Sequence, residues 1–413
     1  MDGAGISRRG FIGQARDTAV VALAAAGAAG SVLAQTGGGA GGSVVARGRP
    51  MPDGVSLPSS PLRPKRQDSV GYAVVGLGDY ALNQMMPRFS RSERSHIAAL
   101  VSGNPEKLRR VGDAYGVPAD ARYSYEHYER IAADTRIDAV YIVLPSGLHA
   151  EYAVRAFAAG KHVLCEKPMA LNSADCERMI AAGERANRRL MIAYRVHFEP
   201  HNMEAMALMR RQAAGNIRFV RTEQLSRTDP KSRPAENWRI DRALAGGGPL
   251  EDFGIYGLQA ALYLTGEMPE AITATTFQPR NDPRFAQVFA SVASHLRFPS
   301  GAIAQLMTSY DSDGSNIAHV RGDTGALIMD PATGYEGHKM RLEGRESRDF
   351  SLGDPTVQFA RQLDNFSDAV RDNATIRTPG AMGLRDVRLI EAIYAAAGTG
   401  SVVRLSPDGR MRR

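Results

Sequence analysis

Three polar residues in the middle of the chain are of types that can together move a proton. Tyr256 carries a phenol, which titrates near ~10 when free and needs nearby positive charge to act as a base near neutrality. Lys167 offers that charge from a loop after a predicted strand, where Pro168 restricts the backbone. Asp252 precedes Tyr256 by four residues, a spacing that places both on one face of a helix. We therefore predict Lys167, Asp252 and Tyr256 as catalytic residues. The alternatives are an exposed loop lysine, a carboxylate in the first turn of a helix and a core tyrosine.

A glycine-rich turn predicts a dinucleotide site near the start of the folded region. The apolar residues 71–75 read as a strand, and the turn that follows has the pattern G-x-G-x-x-A before a helical repeat. In this motif the first glycine permits the turn, the second lets the backbone approach a pyrophosphate, and the small last residue lets helix and strand pack. The phosphates would lie at the helix N-terminus, where free N–H groups favour anions. The predicted cofactor contacts in this turn are Gly76, Leu77, Gly78, Tyr80 and Ala81.

The end of the second predicted strand favours NADP over NAD. NAD-specific sites usually place an acidic residue there, about 20 residues after the glycines, whereas this chain has Ser102. A serine leaves room for a phosphate on the ribose, and Lys107, Arg109 and Arg110 follow on the next helix with positive charge. A solvated helix face is the alternative interpretation of these three cations. We predict NADP, with Ser102 and Lys107 among its contacts.

Strands and helices alternate from residue 69 to residue 195, which predicts a doubly wound parallel sheet. Ligands of such a sheet bind beyond the carboxyl ends of the strands, where residues 145–149, 166–168 and 194–197 lie. Arg195 and His197 alternate, so on a strand end they would face the same way. Helix capping is the alternative for His149. The cofactor contacts predicted in these segments are Pro145, His149, Glu166, Lys167 and Arg195. The predicted substrate contacts are His149, His197, Asp252 and Tyr256.

From residue 217 onward several segments alternate with period two, which is typical of antiparallel strands with one covered face. The segments that read as strands are 217–219, 271–277, 291–297 and 302–309, and those that read as helices are 358–371 and 383–397. The fold class is thus α/β: an N-terminal Rossmann domain (69–195) and a C-terminal α+β domain (196–413) with a large, mostly antiparallel sheet. The free face of that sheet is a candidate oligomer surface. Trp238 and Arg239 are predicted to wall the nicotinamide pocket.

Taken together, several motifs resemble the glucose–fructose oxidoreductase/inositol dehydrogenase family. They are Gly76-Leu77-Gly78, the proline-to-histidine loop ending at His149, Glu166-Lys167-Pro168, and Asp252-Phe253-Gly254-Ile255-Tyr256, and the likeness covers most of residues 47–403. The resemblance implies an NADP that stays bound, an aldose oxidised to its lactone, and a second sugar reduced by the stored hydride in ping-pong exchange. It also implies an active-site role for Lys167, C-terminal helices that return to the first domain, and a homodimer or homotetramer.

Two features depart from the family pattern. Asp79 stands where a basic residue is usual, which would weaken a phosphate contact. Residues 226–236 differ from the fructose-using members, and the resemblance places them at the pocket mouth. The second sugar therefore stays open between fructose and another aldose.

The first 68 residues read as an export signal followed by an arm. Arg8 and Arg9 precede a weakly apolar, alanine-rich run that ends with small residues at Ala34, which is typical of a signal peptide of the twin-arginine type. We predict residues 1–34 as this signal, transport by the twin-arginine machinery, a periplasmic location and no stable membrane anchor, because the run is too short to span a bilayer. Residues 35–68 are rich in glycine and proline and read either as a disordered linker or, by the resemblance, as an arm that wraps a neighbouring subunit.

Composition excludes some partners. The formal charge of +7 falls largely in the first 68 residues, which leaves +3 for residues 69–413. A folded region so weakly basic argues against nucleic-acid binding. No cluster of His, Cys, Asp and Glu has metal-ligand spacing, so we expect no metal. Small sugars are the expected partners.

Four functions compete. The leading one is a sugar oxidoreductase with permanently bound NADP. The others are a conventional sugar dehydrogenase that releases its cofactor, an exported NAD-dependent glycosidase, and a sugar or dinucleotide sensor without activity. Export argues against the second, because released NADP would be lost. The third does not share the spacing of Asp252 and Tyr256, and the fourth should have lost Lys167 or Tyr256, which this chain keeps.

Overall fold

The structure is a computed structural model that describes residues 51–52, 54–58, 68–344 and 347–412. The predicted signal (1–34) lies outside the described residues, as does most of the predicted arm (35–68). In the described part of the arm, Met51, Val55 and Leu57 are half-buried and pack against the core of the chain itself. This contact is additional to any that the arm makes with a second subunit.

Six parallel strands form the first sheet, in the order β3-β2-β1-β4-β5-β6. The bounds are β1 Val70–Val75, β2 Ser95–Val101, β3 Arg122–Tyr123, β4 Ala139–Ile142, β5 His162–Cys165 and β6 Leu190–Ile192. Every residue of β1 is buried, as expected for a central strand of a parallel sheet that is covered on both faces. The predicted doubly wound sheet is confirmed. The exact domain boundaries stay a prediction.

The two C-terminal helices were predicted at 358–371 and 383–397 and lie at Val357–Arg371 and Gly380–Thr399. Asn104 caps α2 by accepting the backbone N–H of Lys107 at 2.9 Å, as its side chain favours at a helix start. Asn172 does the same for α4. The α-helices of the described residues are α1 Met86–Arg88, α2 Pro105–Tyr115, α3 His149–Ala158, α4 Ser173–Arg185, α5 Pro200–Arg210, α6 Arg242–Ala245, α7 Ile255–Thr265, α8 Val357–Arg371 and α9 Gly380–Thr399.

A nine-stranded sheet follows, in the order β14-β13-β12-β11-β7-β10-β9-β8-β15. All neighbouring strands are antiparallel except β7 and β10, which are parallel. The bounds are β7 Ile217–Arg227, β8 Ala271–Phe277, β9 Ser291–Arg297, β10 Ile303–Ser309, β11 Asp311–Gly322, β12 Ala326–Met329, β13 Met340–Glu343, β14 Arg348–Phe350 and β15 Val403–Arg404. This confirms the predicted large, mostly antiparallel sheet.

The second sheet is larger than the sequence pattern indicated. β7 extends to Arg227, although only residues 217–219 were predicted. Three consecutive buried residues interrupt the alternation of buried and exposed positions along this strand, so its later part lacks a clear period of two. β11 begins with the polar residues Asp311-Ser312-Asp313-Gly314 and carries little apolar signal, yet it pairs with β7 over most of that strand. Pairing with neighbours that are distant in sequence, which a local pattern does not contain, defines both strands.

The last two long helices return to the first sheet. Tyr72, on β1, hydrogen-bonds Ser367 of α8 through their side-chain oxygens at 2.9 Å. Arg94, just before β2, forms an ion pair with Asp368 of α8 at 3.0 Å. Beyond α8, the Thr378 hydroxyl donates to the Ile192 carbonyl at the end of β6. The chain thus closes on the sheet where it began.

No helix among the described residues is both long enough and apolar enough to cross a membrane.

Candidate active site

The glycine turn follows β1 directly and has the geometry of a phosphate-binding turn. Gly76 has a φ of +98°, and a Cβ on it would lie 2.4 Å from the Val143 carbonyl oxygen, so only glycine fits here. A Cβ on Gly78 would instead meet no atom within 4 Å. Ala81 is fully buried, which lets the helix after the turn pack closely on the strand. The open space at Gly78 is where the motif leaves room for a pyrophosphate, so the residues present fit a dinucleotide.

The surroundings of the turn agree in part with the prediction of NADP. Ser102, just after β2, is buried and uncharged. The ammonium group of Lys107 is also buried and donates to the Leu77 carbonyl at 2.9 Å, so it stabilises the glycine turn rather than standing out as a free surface charge. Arg109 pairs with Glu106 at 2.9 Å on the exposed face of α2, which agrees with the solvated helix face left open above.

The loop after β5 carries Glu166, Lys167 and Pro168 at the carboxyl edge of the sheet. Glu166 is buried and accepts a 2.7 Å hydrogen bond from the Tyr141 hydroxyl. Burial raises the pKa of Glu166 above its usual value, because the charged form loses water. The pKa of Tyr80, in the glycine turn, is raised mainly by burial and further by the nearby charge of Glu166. Glu166 thus joins the lysine loop to the cofactor turn.

Lys167 brings the three predicted catalytic residues together. Its Nζ donates to the backbone carbonyl of Asp252 and lies 3.4 Å from Oδ1 of the same residue. The same ammonium lies 5.0 Å from the centre of the Tyr256 ring. Asp252 lies in a π-helical turn, Leu250–Gly254, that continues into α7, where Tyr256 occupies the first turn. A helical segment thus begins just after the glycines at 246–248.

Asp252 is held as a carboxylate by several donors. Oδ2 accepts from Arg239 Nε at 3.0 Å and from the Tyr310 hydroxyl at 2.9 Å. Burial alone would raise the pKa of Asp252, but Arg239 and Lys167 outweigh it and the pKa lies below the usual value. The guanidinium carbon of Arg239 lies 4.8 Å from the centre of the Trp238 ring. Trp238 and Arg239 therefore reach the site through Asp252, and their predicted contact with nicotinamide stays a prediction.

Arg195 approaches Tyr256 from another side. Its guanidinium carbon lies 4.8 Å from the Tyr256 ring centre and 4.5 Å from that of Tyr335. It donates to the Thr333 and Gly334 carbonyl oxygens at 2.7 Å each. Arg195 is thus a buried cation against the proposed catalytic phenol, with two of its hydrogen-bond partners on a loop of the second sheet.

The prediction that Arg195 and His197 face the same way from a strand end is wrong. β6 ends at Ile192, and Arg195–Phe198 form a 3₁₀ turn, in which alternate residues do not share a face. His197 Nε2 lies 3.0 Å from Gln259 Oε1, and burial lowers its pKa to about 3. Its hydrogen-bond and ring contacts are with Gln259, Tyr194 and Tyr263. Its substrate contact stays a prediction.

His149 bridges two loops of the site. Its Nδ1 lies 2.9 Å from the Pro168 carbonyl oxygen and its Nε2 lies 2.8 Å from the Leu144 carbonyl oxygen. The ring is fully buried at the start of α3. Burial lowers the pKa of His149, so the ring is neutral and its single N–H donates to one of these two carbonyl oxygens. The ring lies between the Lys167 loop and the loop after β4, in which Pro145 begins the turn. This is a positioning role, and a direct contact with cofactor or substrate stays a prediction.

Sequence reasoning missed several residues of the site. Tyr310 follows β10 and had no local signal. Tyr335 received no predicted role, although it contacts Arg195 and lies 6.2 Å from Tyr80, ring centre to ring centre. Glu251, next to Asp252, is buried and accepts from the Tyr394 hydroxyl of α9 and from the backbone N–H of Gly247, each at 2.7 Å. Burial raises the pKa of Glu251 to about 7.

Within the part of the chain that the structure describes, no group of three or more His, Cys, Asp or Glu residues is placed to hold a metal ion.

The fold and the site define a dinucleotide-dependent oxidoreductase of two-sheet architecture. Residues 70–194 match the model described as "Oxidoreductase family, NAD-binding Rossmann fold", and residues 203–328 match "GFO/IDH/MocA C-terminal domain". The chain belongs to the GFO/IDH/MocA oxidoreductase family.

Two relatives and one solved structure are similar to the chain over about four fifths of its length. The chain is 30% identical over 339 residues to D-xylose 1-dehydrogenase (NADP(+)) 2 of Haloferax volcanii, covering 81% of this chain and 99% of the relative. It is 30% identical over 348 residues to D-xylose 1-dehydrogenase [NADP(+)] of Haloarcula marismortui, covering 81% and 93%. The crystal structure of aldose-aldose oxidoreductase from Caulobacter crescentus, complexed with glycerol, is 47% identical and superposes with a TM-score of 0.78, covering 82% of this chain and 100% of that one.

Proposed function

We propose that this protein is an exported sugar oxidoreductase with tightly bound NADP, which oxidises an aldose to its lactone and reduces a second sugar. The observation that carries the proposal is that Lys167, Asp252 and Tyr256 lie close together at the carboxyl edge of a dinucleotide-binding sheet. The names of the relatives, which act on xylose with NADP(+) or exchange between aldoses, support sugar substrates and NADP.

Tyr256 is the acid and base of the proposed reaction. When an aldose C1 hydroxyl is oxidised, its O–H proton must leave while the C–H hydride leaves from the same carbon, and the phenolate of Tyr256 takes the proton. A nicotinamide bound at the glycine turn would supply the chemistry of the other half, as the acceptor of the hydride and then its donor to the second sugar. There Tyr256 returns the proton to the new hydroxyl oxygen, so both sugars together conserve hydrogen.

Lys167 and Asp252 prepare Tyr256 for this task. The Lys167 ammonium lies 5.0 Å from the Tyr256 ring centre, where its positive charge would stabilise negative charge that forms on the phenolic oxygen during proton transfer. Asp252 fixes that ammonium, because it accepts from Lys167 through both its backbone and its side chain. Arg239 and Tyr310 in turn hold the other carboxylate oxygen, so the lysine keeps one orientation.

The residues that would hold the dinucleotide surround the glycine turn. Gly76 and Gly78 would face the pyrophosphate, and Ser102 would leave room at the ribose. Export of a folded enzyme by a twin-arginine signal is consistent with a cofactor loaded before transport. We propose a periplasmic location on the basis of the predicted signal at residues 1–34. We propose a homo-oligomer on the basis of the family resemblance and of the exposed apolar residues of the second sheet.

A conventional sugar dehydrogenase is the second candidate, and the names of the two xylose dehydrogenase relatives favour it. The two candidates differ in whether turnover needs added cofactor. Dialysed protein is incubated with glucose alone, with glucose plus xylose, and with glucose plus fructose, and lactone-derived acid and alditol are measured. The proposal predicts equal amounts of acid and alditol without added NADP. Acid formed only when NADP is added, with no alditol, would assign the conventional dehydrogenase instead.

A further inference from the structure

Arg195 is a buried cation with no negative partner among the described residues. Its side chain is 3% exposed, and its hydrogen bonds go to the Thr333 and Gly334 carbonyls and to Gln358 Oε1, which are all neutral acceptors. Its Nε has no hydrogen-bond partner. Buried charges in proteins are usually paired, so this guanidinium carries a charge that its own surroundings do not neutralise.

The nearest groups able to become negative are two phenols. The Tyr256 ring lies against one side of the guanidinium at 4.8 Å and the Tyr335 ring lies at 4.5 Å. Lys167, by contrast, is already shared with Asp252, which also binds Arg239. Of the two cations beside Tyr256, Arg195 is therefore the one whose charge is less compensated.

The position of Arg195 is fixed by the protein without help from a ligand. The loop that supplies its carbonyl acceptors is itself held, because Asn202 Nδ2 donates to the Ala332 carbonyl at 2.8 Å and Asn316 Oδ1 accepts the Thr333 N–H at 2.9 Å. The third acceptor, Gln358, donates its own amide to the Tyr335 carbonyl at 3.2 Å. The guanidinium therefore stands against Tyr256 before substrate binds, as preorganised electrostatics requires.

We propose that Arg195 is a second activating cation of the acid–base tyrosine: it stabilises the Tyr256 phenolate together with Lys167, in addition to any contact with the cofactor. The inference deepens the proposed function and rests on it. An opposite charge close to an ionisable group favours its charged form. Removing Arg195 should thus make the Tyr256 phenolate harder to form, so that sugar oxidation needs a higher pH.

Several titratable or charged groups lie near Tyr256 and contribute to its electrostatic environment. They are Lys167 after β5, Arg195 after β6, Tyr80 after the glycine turn, Tyr335 after β12 and Asp252 on the preceding helical turn. Because the other tyrosines also titrate, the signal of Tyr256 has to be isolated by difference.

The test is a tyrosinate absorbance titration of the holoprotein, with the matching Tyr256→Phe variant subtracted for each background. In Arg195→Gln the Tyr256 transition should move about one pH unit or more to the alkaline side. Arg195→Lys, which keeps the charge, should restore most of the wild-type value. The matched control is Arg155→Gln, because Arg155 also lies over two tyrosine rings, at 4.9 and 4.7 Å, but those rings belong to Tyr128 and Tyr152 and its ion-pair partners are Glu129 and Glu151. The control should move the Tyr256 transition by nothing measurable.

An unmoved Tyr256 transition in Arg195→Gln overturns the proposal, even if that variant turns over sugar poorly. If Arg195→Gln does not fold, Gln358→Leu replaces it, since it removes one acceptor that fixes the guanidinium, and a smaller alkaline shift is expected; no shift again overturns the proposal. The titration does not depend on sugar turnover. A protein inactive on every sugar whose Tyr256 still responds to Arg195 would therefore refute the proposed function and leave this inference standing.

Discussion

At the scale of single residues, the charges around Asp252 determine what Lys167 can do. Arg239 and the Tyr310 hydroxyl hold one carboxylate oxygen at 3.0 and 2.9 Å, and Lys167 lies at a longer 3.4 Å from the other. The lysine is therefore positioned by Asp252 without being fully neutralised by it. What remains of its charge acts on Tyr256, which is the basis of the proposed acid–base chemistry.

Replacing Tyr256 by phenylalanine tests that chemistry. Without the hydroxyl the proposed acid–base group is lost, so kcat for sugar oxidation should fall by about 100-fold or more, while bound nicotinamide is retained. Tyr115→Phe, a buried tyrosine of α2, serves as the control and should keep its activity. Undiminished kcat in Tyr256→Phe would remove this residue from the mechanism.

Glu251 makes the stability of the protein depend on pH. Burial raises its pKa from 4.5 to about 7, so the folded state binds this proton more tightly than the unfolded state. Its contribution to the free energy of unfolding is therefore full below about pH 4.5 and is lost as pH rises toward about 7. A shift of this size corresponds to about 3 kcal/mol.

A neutral amide at position 251 should escape that loss. The free energy of unfolding of Glu251→Gln, minus that of the wild type, should increase between about pH 5 and about pH 8 by up to about 3 kcal/mol, measured by urea unfolding. Glu184→Gln, at an exposed position of α4, should show no such increase. A difference that stays constant with pH would mean that Glu251 is not a buried acid with a raised pKa.

Sequence reasoning reached Lys167, Asp252 and Tyr256 because each has a local mark: a lysine before proline after an apolar strand, and a carboxylate four residues before a tyrosine after a glycine turn. Tyr310 has no such mark. It meets Asp252 only because the start of α7 packs near the end of β10, which is a consequence of tertiary packing. Arg239 was predicted, but for a contact with the cofactor and not with Asp252.

At the scale of elements, the two glycines of the cofactor turn have different functions. Gly76 is required by the backbone, since it has a positive φ and a Cβ would collide with the Val143 carbonyl. Gly78 borders open space. A side chain at Gly78 would thus fill the space expected for the pyrophosphate without disturbing the protein.

Two substitutions separate these functions. Gly78→Val should abolish the nicotinamide absorbance of the purified protein while leaving its thermal midpoint close to that of the apoprotein. Gly76→Ala should lower the thermal midpoint as well, because its cost falls on the turn itself. Retention of full cofactor by Gly78→Val would place the dinucleotide elsewhere.

Strands were predicted correctly where the burial of one sheet face gives an alternating sequence pattern. They were missed where pairing with a strand distant in sequence defines them. The alternating burial of β9 and β10 is visible in the sequence, and both strands were predicted. β11 and the far half of β7 are polar or irregular, and pairing defines them as strands: they pair with each other, and β7 also pairs with β10. Arg195 and His197 were predicted at a strand end because they alternate in the sequence. β6 instead ends after three residues, at Ile192, and the chain then forms the turn at Arg195–Phe198.

At the scale of the whole molecule, the open face of the second sheet carries large apolar residues. Phe219 on β7 is 58% exposed, and Ile303, its register partner on β10, is 40% exposed. Contiguous apolar surface of this kind usually marks an interface. We place the proposed homo-oligomer contact here, since antiparallel sheets leave one face free for a partner.

A charge in the middle of this face should prevent association. Phe219→Glu is expected to lower the molar mass in solution from that of an oligomer to that of the monomer, measured by light scattering after gel filtration. Met411→Glu, at another exposed apolar position, should leave the mass unchanged. An oligomer that persists in Phe219→Glu would move the interface to another surface.

The absorbance spectrum of the purified, dialysed protein, recorded before and after glucose, tests the central claim most directly. The proposed function predicts a nicotinamide that survives dialysis, gains the absorbance of the reduced form with glucose, and loses it again when a second sugar is added. A protein that emerges without nicotinamide, or with one that no sugar reduces, would contradict the proposed exchange between two sugars on a retained cofactor.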